Sequence, residues 1–187
     1  MRYQIMRFGC RKDRINLIHM NKPLSNGLAG MISSPLFKEN VAVIVDDTPK
    51  DERDYDFACL ACGENGVVPR VMMIRELYYD IKRGKPYART ALFHELGHYY
   101  NGDLLSSKED RDKKRADLVV SGAVSEEELK ADFFAASYFG KEFVASGLEK
   151  IMQLTEDMYK GHSDADDLAI VLRELDIRMS TIRQGHS

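Results

Sequence analysis

No apolar run in this chain approaches the ~18 to 20 residues that a membrane-crossing helix needs. The stretch from Met1 to Met20 is interrupted by Arg2, Arg7, Arg11, Lys12, Asp13 and Arg14, so neither a membrane span nor a signal peptide is expected. Cysteine is scarce: Cys10, Cys59 and Cys62 are too few, and odd in number, for a disulfide scaffold, which points to a reducing compartment and a cytoplasmic protein. Charge of one sign is not in excess either. With 27 Lys and Arg against 30 Asp and Glu the formal charge is −3, far from the basic balance of a dedicated nucleic-acid binder. Repeats and low-complexity tracts are missing. What is there is 187 residues, 44% hydrophobic and 30% charged, enough for one domain over residues 1–187 that buries a core without a disulfide or structural-metal staple.

Strand-forming sequence lies early in the chain. Val41-Ala42-Val43-Ile44-Val45 is a β-branched apolar run bounded by Asn40 and by Asp46-Asp47-Thr48-Pro49, which predicts a buried strand. Gly27, Gly30 and Pro35 punctuate the stretch before it, so Leu28 to Ser33 reads as a neighbouring strand joined by a hairpin-like turn. Val67 to Ile74 contains Pro69 and is expected at a sheet edge, where a missing N–H is tolerated.

After residue 74 the pattern turns helical. Arg75 to Lys82 is one candidate, ended by Gly84 and Pro86; Tyr87 to Tyr100 is the next, with Gly102 where a left-handed cap would stand. The mixed charges from Ser106 to Asp117 suit a solvated segment. Further helices are expected from about Ser125 to Tyr138, Lys141 to Lys160 and Ser163 to Arg183, the last capped by Ser163 with Asp166 three residues on. Strands first (1–74) and helices after (75–187) predict an α+β fold, a small N-terminal sheet packed against a helical core.

Within the Tyr87 helix stands His94-Glu95-Leu96-Gly97-His98. Four residues of helix set the two histidines about 40° apart around the axis and about 6 Å apart along it, so both rings can reach one ion. Glu95 borders the same face, where its carboxylate can take a proton from a metal-bound water. A catalytic zinc needs three protein ligands and one open position, so a third ligand is required from elsewhere. Glu128, Ala131, Asp132 and Ala135 fall at i, i+3, i+4 and i+7 of the next amphipathic segment, one stripe on which small residues permit close approach to the histidine helix. Glu128 can complete a His-His-Glu set, and Asp132 can accept a hydrogen bond from the free nitrogen of a liganding histidine. Ser125 with Glu128 also reads as a capping box, which alone would account for the glutamates. It leaves unexplained an aspartate on the alanine face, costly to bury without a partner.

The pair His94-Glu95-Leu96-Gly97-His98 and Glu128-Leu129-Lys130-Ala131-Asp132-Phe133-Phe134-Ala135 resembles the HExxH and ExxADxFA motifs of the gluzincin metallopeptidases, most of all their compact ImmA/IrrE-like members. The resemblance covers about residues 28 to 140. It implies zinc held by His94, His98 and Glu128, Glu95 as general base, and Asp132 as an orienting carboxylate. It also implies that a strand ending in Asn or Asp, here Val43-Ile44-Val45-Asp46, precedes the catalytic helix. Asp51 to Gly84 reads as an insertion against that pattern.

The expected activity is therefore zinc-dependent endopeptidase action on a protein or peptide, by analogy a specific regulatory protein, with neither membrane nor nucleic acid as partner. A rival is a catalytically silent module that keeps the fold and binds or senses a partner protein. Cys59-Leu60-Ala61-Cys62 offers a third reading, a redox or structural metal site, although no second CxxC exists to complete it. Tyr99, Tyr100, Tyr138, His162 and Arg173 are the candidates for stabilising an oxyanion.

Overall fold

The computed structural model describes residues 3–53, 55–61, 68–103, 115–160 and 165–185. The fold is α+β, and the chain divides into two compact units, Met1–Arg83 and Gly84–Ser187. No helix among the described residues is long and apolar enough to cross a membrane.

The first unit is a six-stranded mixed sheet of order β1-β2-β3-β4-β6-β5. Its strands are β1 (Tyr3–Phe8), β2 (Ile15–Met20), β3 (Leu28–Ser33), β4 (Val41–Asp46), β5 (Ala58–Ala61) and β6 (Arg70–Ile74). Both strands foreseen at 28–33 and 41–45 are there, paired antiparallel. Residues Ile15, Leu17, Ile32, Val41, Val43, Val45, Val71 and Met73 are buried, as are Leu77, Tyr78 and Ile81 of α1 (Arg75–Lys82). Tyr78 fixes the helix by donating from its hydroxyl to the carbonyls of Met20 at 2.6 Å and Ala29 at 3.1 Å. Period-two alternation leaves the opposite residues, among them Ile5 and Ile18, exposed.

One expectation is corrected here. The segment around Pro69 is not an edge: β6 lies between β4, which it pairs in parallel, and β5, which it pairs antiparallel. Pro69 stands just outside the ladder, where its carbonyl accepts from Ala42 N at 2.8 Å and no strand donor is lost. The stretch Asp51 to Gly84, read as an insertion, supplies β5, β6 and α1, so two of the six strands come from it.

The second unit is helical: α2 (Pro86–Asn101), α3 (residues 115–120), α4 (Glu126–Phe139), α5 (Lys141–Tyr159) and α6 (Ala165–Gln184). Its core is built from Leu92, Phe93 and Leu96 of α2, Ala131 and Ala135 of α4, Val144, Ala145 and Leu148 of α5, and Leu175, Met179 and Ile182 of α6. Two glycines set how closely neighbours pack on α2. A Cβ on Gly97 would stand 2.7 Å from Ala131 Cα, and one on Gly147 would stand 2.2 Å from Thr90 Oγ1. Only a hydrogen at each position permits these crossings. The cap proposed for Ser163 and Asp166, and most of the charged segment from Ser106, lie outside the described residues.

Candidate metal centre

The start and stop of α2 are set by residues suited to them. Pro86 takes the first helical position, where its missing N–H has no partner to lose, and Gly102 ends the helix at φ 75°, a conformation costly for other residues. Between them His94 is buried and His98 largely so, with ring centroids 4.6 Å apart and planes nearly perpendicular. Their Nε2 atoms stand 3.0 Å apart.

Glu128 is carried to them by α4. Ser125 caps that helix by accepting from Glu128 N at 3.3 Å, one half of the expected capping box, while the Glu128 carboxylate turns to the imidazoles. Its Oε2 lies 3.1 Å from His94 Nε2 and its Oε1 3.5 Å from His98 Nε2. Capping and convergence on the histidines are thus not alternatives; the backbone N–H does one and the side chain the other. Ala131, whose Cα meets Gly97, lies one turn beyond Glu128, so the small-residue contact is what brings the carboxylate within reach.

Each imidazole is held from behind. His94 Nδ1 donates to Asp132 Oδ1 at 2.8 Å, and His98 Nδ1 donates to Asp103 Oδ2 at 2.9 Å. Occupying both Nδ1 atoms turns both Nε2 atoms toward Glu128. Two ring nitrogens and a carboxylate converging on one point call for positive charge between them. Burial and the Arg178 guanidinium both push the His94 pKa down, yet Glu128 and Asp132 outweigh them and raise it to about 10. Burial acts the other way on the acids: it raises Glu128 and Asp132, but Arg178 and His94 overcome it and hold both below the ordinary carboxylate range.

The same point suits a metal ion. Ligands about 2.0–2.1 Å from a tetrahedral zinc stand about 3.3 Å from one another. The two Nε2 atoms, 3.0 Å apart, and Glu128 Oε2, 3.1 Å from His94 Nε2, stand near that value, while the other carboxylate oxygen, Oε1, lies 3.5 Å from His98 Nε2. The residues therefore fit a divalent cation held by His94, His98 and Glu128. Glu95 follows His94 on the same helix and is half-buried.

Three participants escaped the sequence reading. Arg178 of α6 is buried and donates through Nε to Asp132 Oδ2 at 2.8 Å and through Nη2 to Asp132 Oδ1 at 2.7 Å. Its Nη1 lies 2.9 Å from Glu128 Oε2. Glu174, also buried, pairs with Arg178 at 3.6 Å and with Arg115 of α3. Asp103 sits immediately past the Gly102 cap. A signal for Arg178 existed: it falls on the apolar stripe of Leu175, Met179 and Ile182, a charge where the helix turns inward, the same anomaly that drew attention to Asp132.

Of the oxyanion candidates, Tyr100 stacks on Phe134 at 5.1 Å and Tyr138 packs against Phe93 at 5.0 Å, both within an aromatic cluster. Arg173 is exposed, and His162 lies outside the described residues, as does Cys62 of the CxxC. Cys59 is on β5. No family model, no curated protein and no solved structure matches this chain.

Proposed function

We propose that the protein is a zinc-dependent peptidase that hydrolyses peptide bonds, in keeping with its resemblance to the compact gluzincins. The observation that carries the reading is the convergence of His94 and His98 of α2, their Nε2 atoms 3.0 Å apart, with the Glu128 carboxylate of α4, whose oxygens lie 3.1 and 3.5 Å from them, on a histidine helix that also bears Glu95. Bound there, zinc supplies Lewis acidity, polarising a scissile carbonyl and acidifying a water.

The protein's own groups do the rest. Glu95 is the general base that removes a proton from the attacking water and returns it to the leaving amine. Asp132 and Asp103 fix the ring orientation and tautomer of the two histidines, so both present Nε2 to the ion. The substrate class is a protein or peptide, by analogy one regulatory protein rather than bulk diet. The compartment is the cytoplasm, which suits three cysteines with no scaffold between them and an exposed thiol at Cys10.

Metal analysis and cleavage of a fluorogenic random-peptide library test this together. Wild-type protein is expected to carry one zinc per chain and His94→Ala to carry almost none. Glu95→Gln should keep its zinc and lose at least a hundredfold in cleavage rate, within the range one acid–base group supplies. Parental cleavage by Glu95→Gln, or equal zinc in His94→Ala, overturns the reading. A wild-type protein that holds zinc and leaves both peptides and folded proteins intact is the silent binding module instead.

A further inference from the structure

Arg178 belongs to neither motif, yet one guanidinium touches both halves of the centre. It grips Asp132 with two parallel hydrogen bonds, at 2.8 and 2.7 Å, and Glu128 with a third contact at 2.9 Å. Asp132 in turn holds His94 Nδ1. Two of the three ligands, one from α2 and one from α4, are thereby tied to a single side chain on α6.

From this we infer that Arg178 is a positioning residue for the metal centre, setting the Glu128 carboxylate directly and the His94 ring both through Asp132 and by its own Nη2, which stands 3.0 Å from His94 Nδ1. The inference rests on the metal-centre reading above. Planar guanidinium suits the task because its donors are fixed in one fork and meet two carboxylates at once; an ammonium on a flexible stem offers a point charge without that geometry.

The chain also anchors Arg178 from its far side. Glu174, one helical turn earlier, lies 3.6 Å from Nη1, and Glu174 is itself paired with Arg115, whose side chain reaches solvent. Charges therefore alternate from the surface inward: Arg115, Glu174, Arg178, then Asp132 and Glu128. This alternation decides between two opposed effects of a cation beside a metal site. Arg178 repels an incoming ion, but its charge is shared among three carboxylates, so repulsion is spent largely against those partners. What removal of the guanidinium leaves behind is a buried Asp132 and a half-buried Glu128 held only by the imidazoles, with no fork joining the two carboxylates. Loss of positioning outweighs relief of repulsion.

Cobalt(II) provides a probe that reports geometry as well as affinity. Arg178→Met and Arg178→Lys, with far-UV circular dichroism to verify folding, are titrated with cobalt beside the wild type, and visible ligand-field spectra are recorded. Arg178→Met is expected to bind ten- to hundredfold more weakly, the usual cost of removing a residue that orients ligands, and to shift the visible bands. Arg178→Lys should recover part of the affinity and not the wild-type spectrum. Glu174→Gln, which leaves every ligand and its contacts in place, should move both in the same direction by less, and keeps the test open where Arg178→Met fails to fold. Wild-type spectrum and affinity in the Arg178 variants overturn the inference, as does tighter binding, which would make Arg178 an opponent of the ion. Wild-type protein that takes up no cobalt brings down the metal-centre reading and this inference with it. Cobalt uptake without peptide cleavage removes the peptidase reading and leaves the role of Arg178 standing.

Discussion

Asp132 and Asp103 do the same work on different imidazoles, and their surroundings set how much each is worth. Asp132 has no exposed side-chain surface and also holds Arg178, whereas about a fifth of Asp103 reaches solvent. A hydrogen bond screened by water contributes less than the same bond in a dry site. Asp132→Asn should therefore cost about ten- to a hundredfold in zinc affinity, the range expected for residues behind a ligand, and Asp103→Asn less than tenfold. Competition against a chelating dye measures both. Equal losses would mean that burial does not distinguish the two supports. Asp132→Asn should also destabilise the fold by about 3 kcal/mol or more, since it strips a buried arginine of its main partner.

Among the helices, the crossing of α2 over α4 decides whether a site exists. Gly97→Ala would thrust a methyl to 2.7 Å from Ala131 Cα and 2.9 Å from Ala131 O, backbone atoms that cannot rotate aside. Alanine gains up to about 1 kcal/mol of helix propensity over glycine. Overpacking costs typically about 1–3 kcal/mol, so the net effect is destabilising, seen as a lower urea midpoint. Separation of the helices also carries Glu128 away from the rings, so zinc affinity should fall with it. Retained affinity in a destabilised Gly97→Ala would show that the crossing does not set the ligand distance.

How legible these elements were follows from their chemistry. Helices α2 and α4 and the stripe of Glu128, Ala131 and Asp132 were readable because caps, spacing and small residues all agreed. Strands β1 and β2 went unnoticed among the basic residues of the N-terminus, although Ile15, Leu17 and His19 alternate inward along β2. Their signal is the period-two alternation, weakened by the basic residues interspersed around it. Arg178 was hidden for the opposite reason: an arginine near the end of an amphipathic helix reads as surface until its exact place on the stripe is counted, and exposed Arg173 drew the attention instead.

At the scale of the whole molecule, acid sensitivity enters through a histidine far in sequence from the metal centre. In the first unit, His19 is buried on β2 with its Nδ1 lacking a hydrogen-bond partner among the described residues. Burial, helped by the charge of Lys82, lowers its pKa below the ordinary 6.5. The folded unit thus prefers the neutral ring. The associated stability is complete above about pH 6.5 and is lost as pH falls through the lower folded value, at no more than about 1.4 kcal/mol per pH unit. Thermal unfolding at pH 7.5 and 5.5 should show a drop that His19→Leu diminishes. An identical drop in the variant would place the acid sensitivity in other groups.

The order in which the chain is made has a consequence for the clamp on α6. His94 precedes Arg178 by 84 residues. At ~5–20 residues per second, the ribosome delivers both imidazoles about 4 to 17 seconds before the guanidinium. Over the last 46 residues of that interval, from Asp132 to Arg178, Glu128 and Asp132 exist without the guanidinium that holds them in the folded protein. The arrangement of these carboxylates around Arg178 is therefore completed only when the last helix folds home.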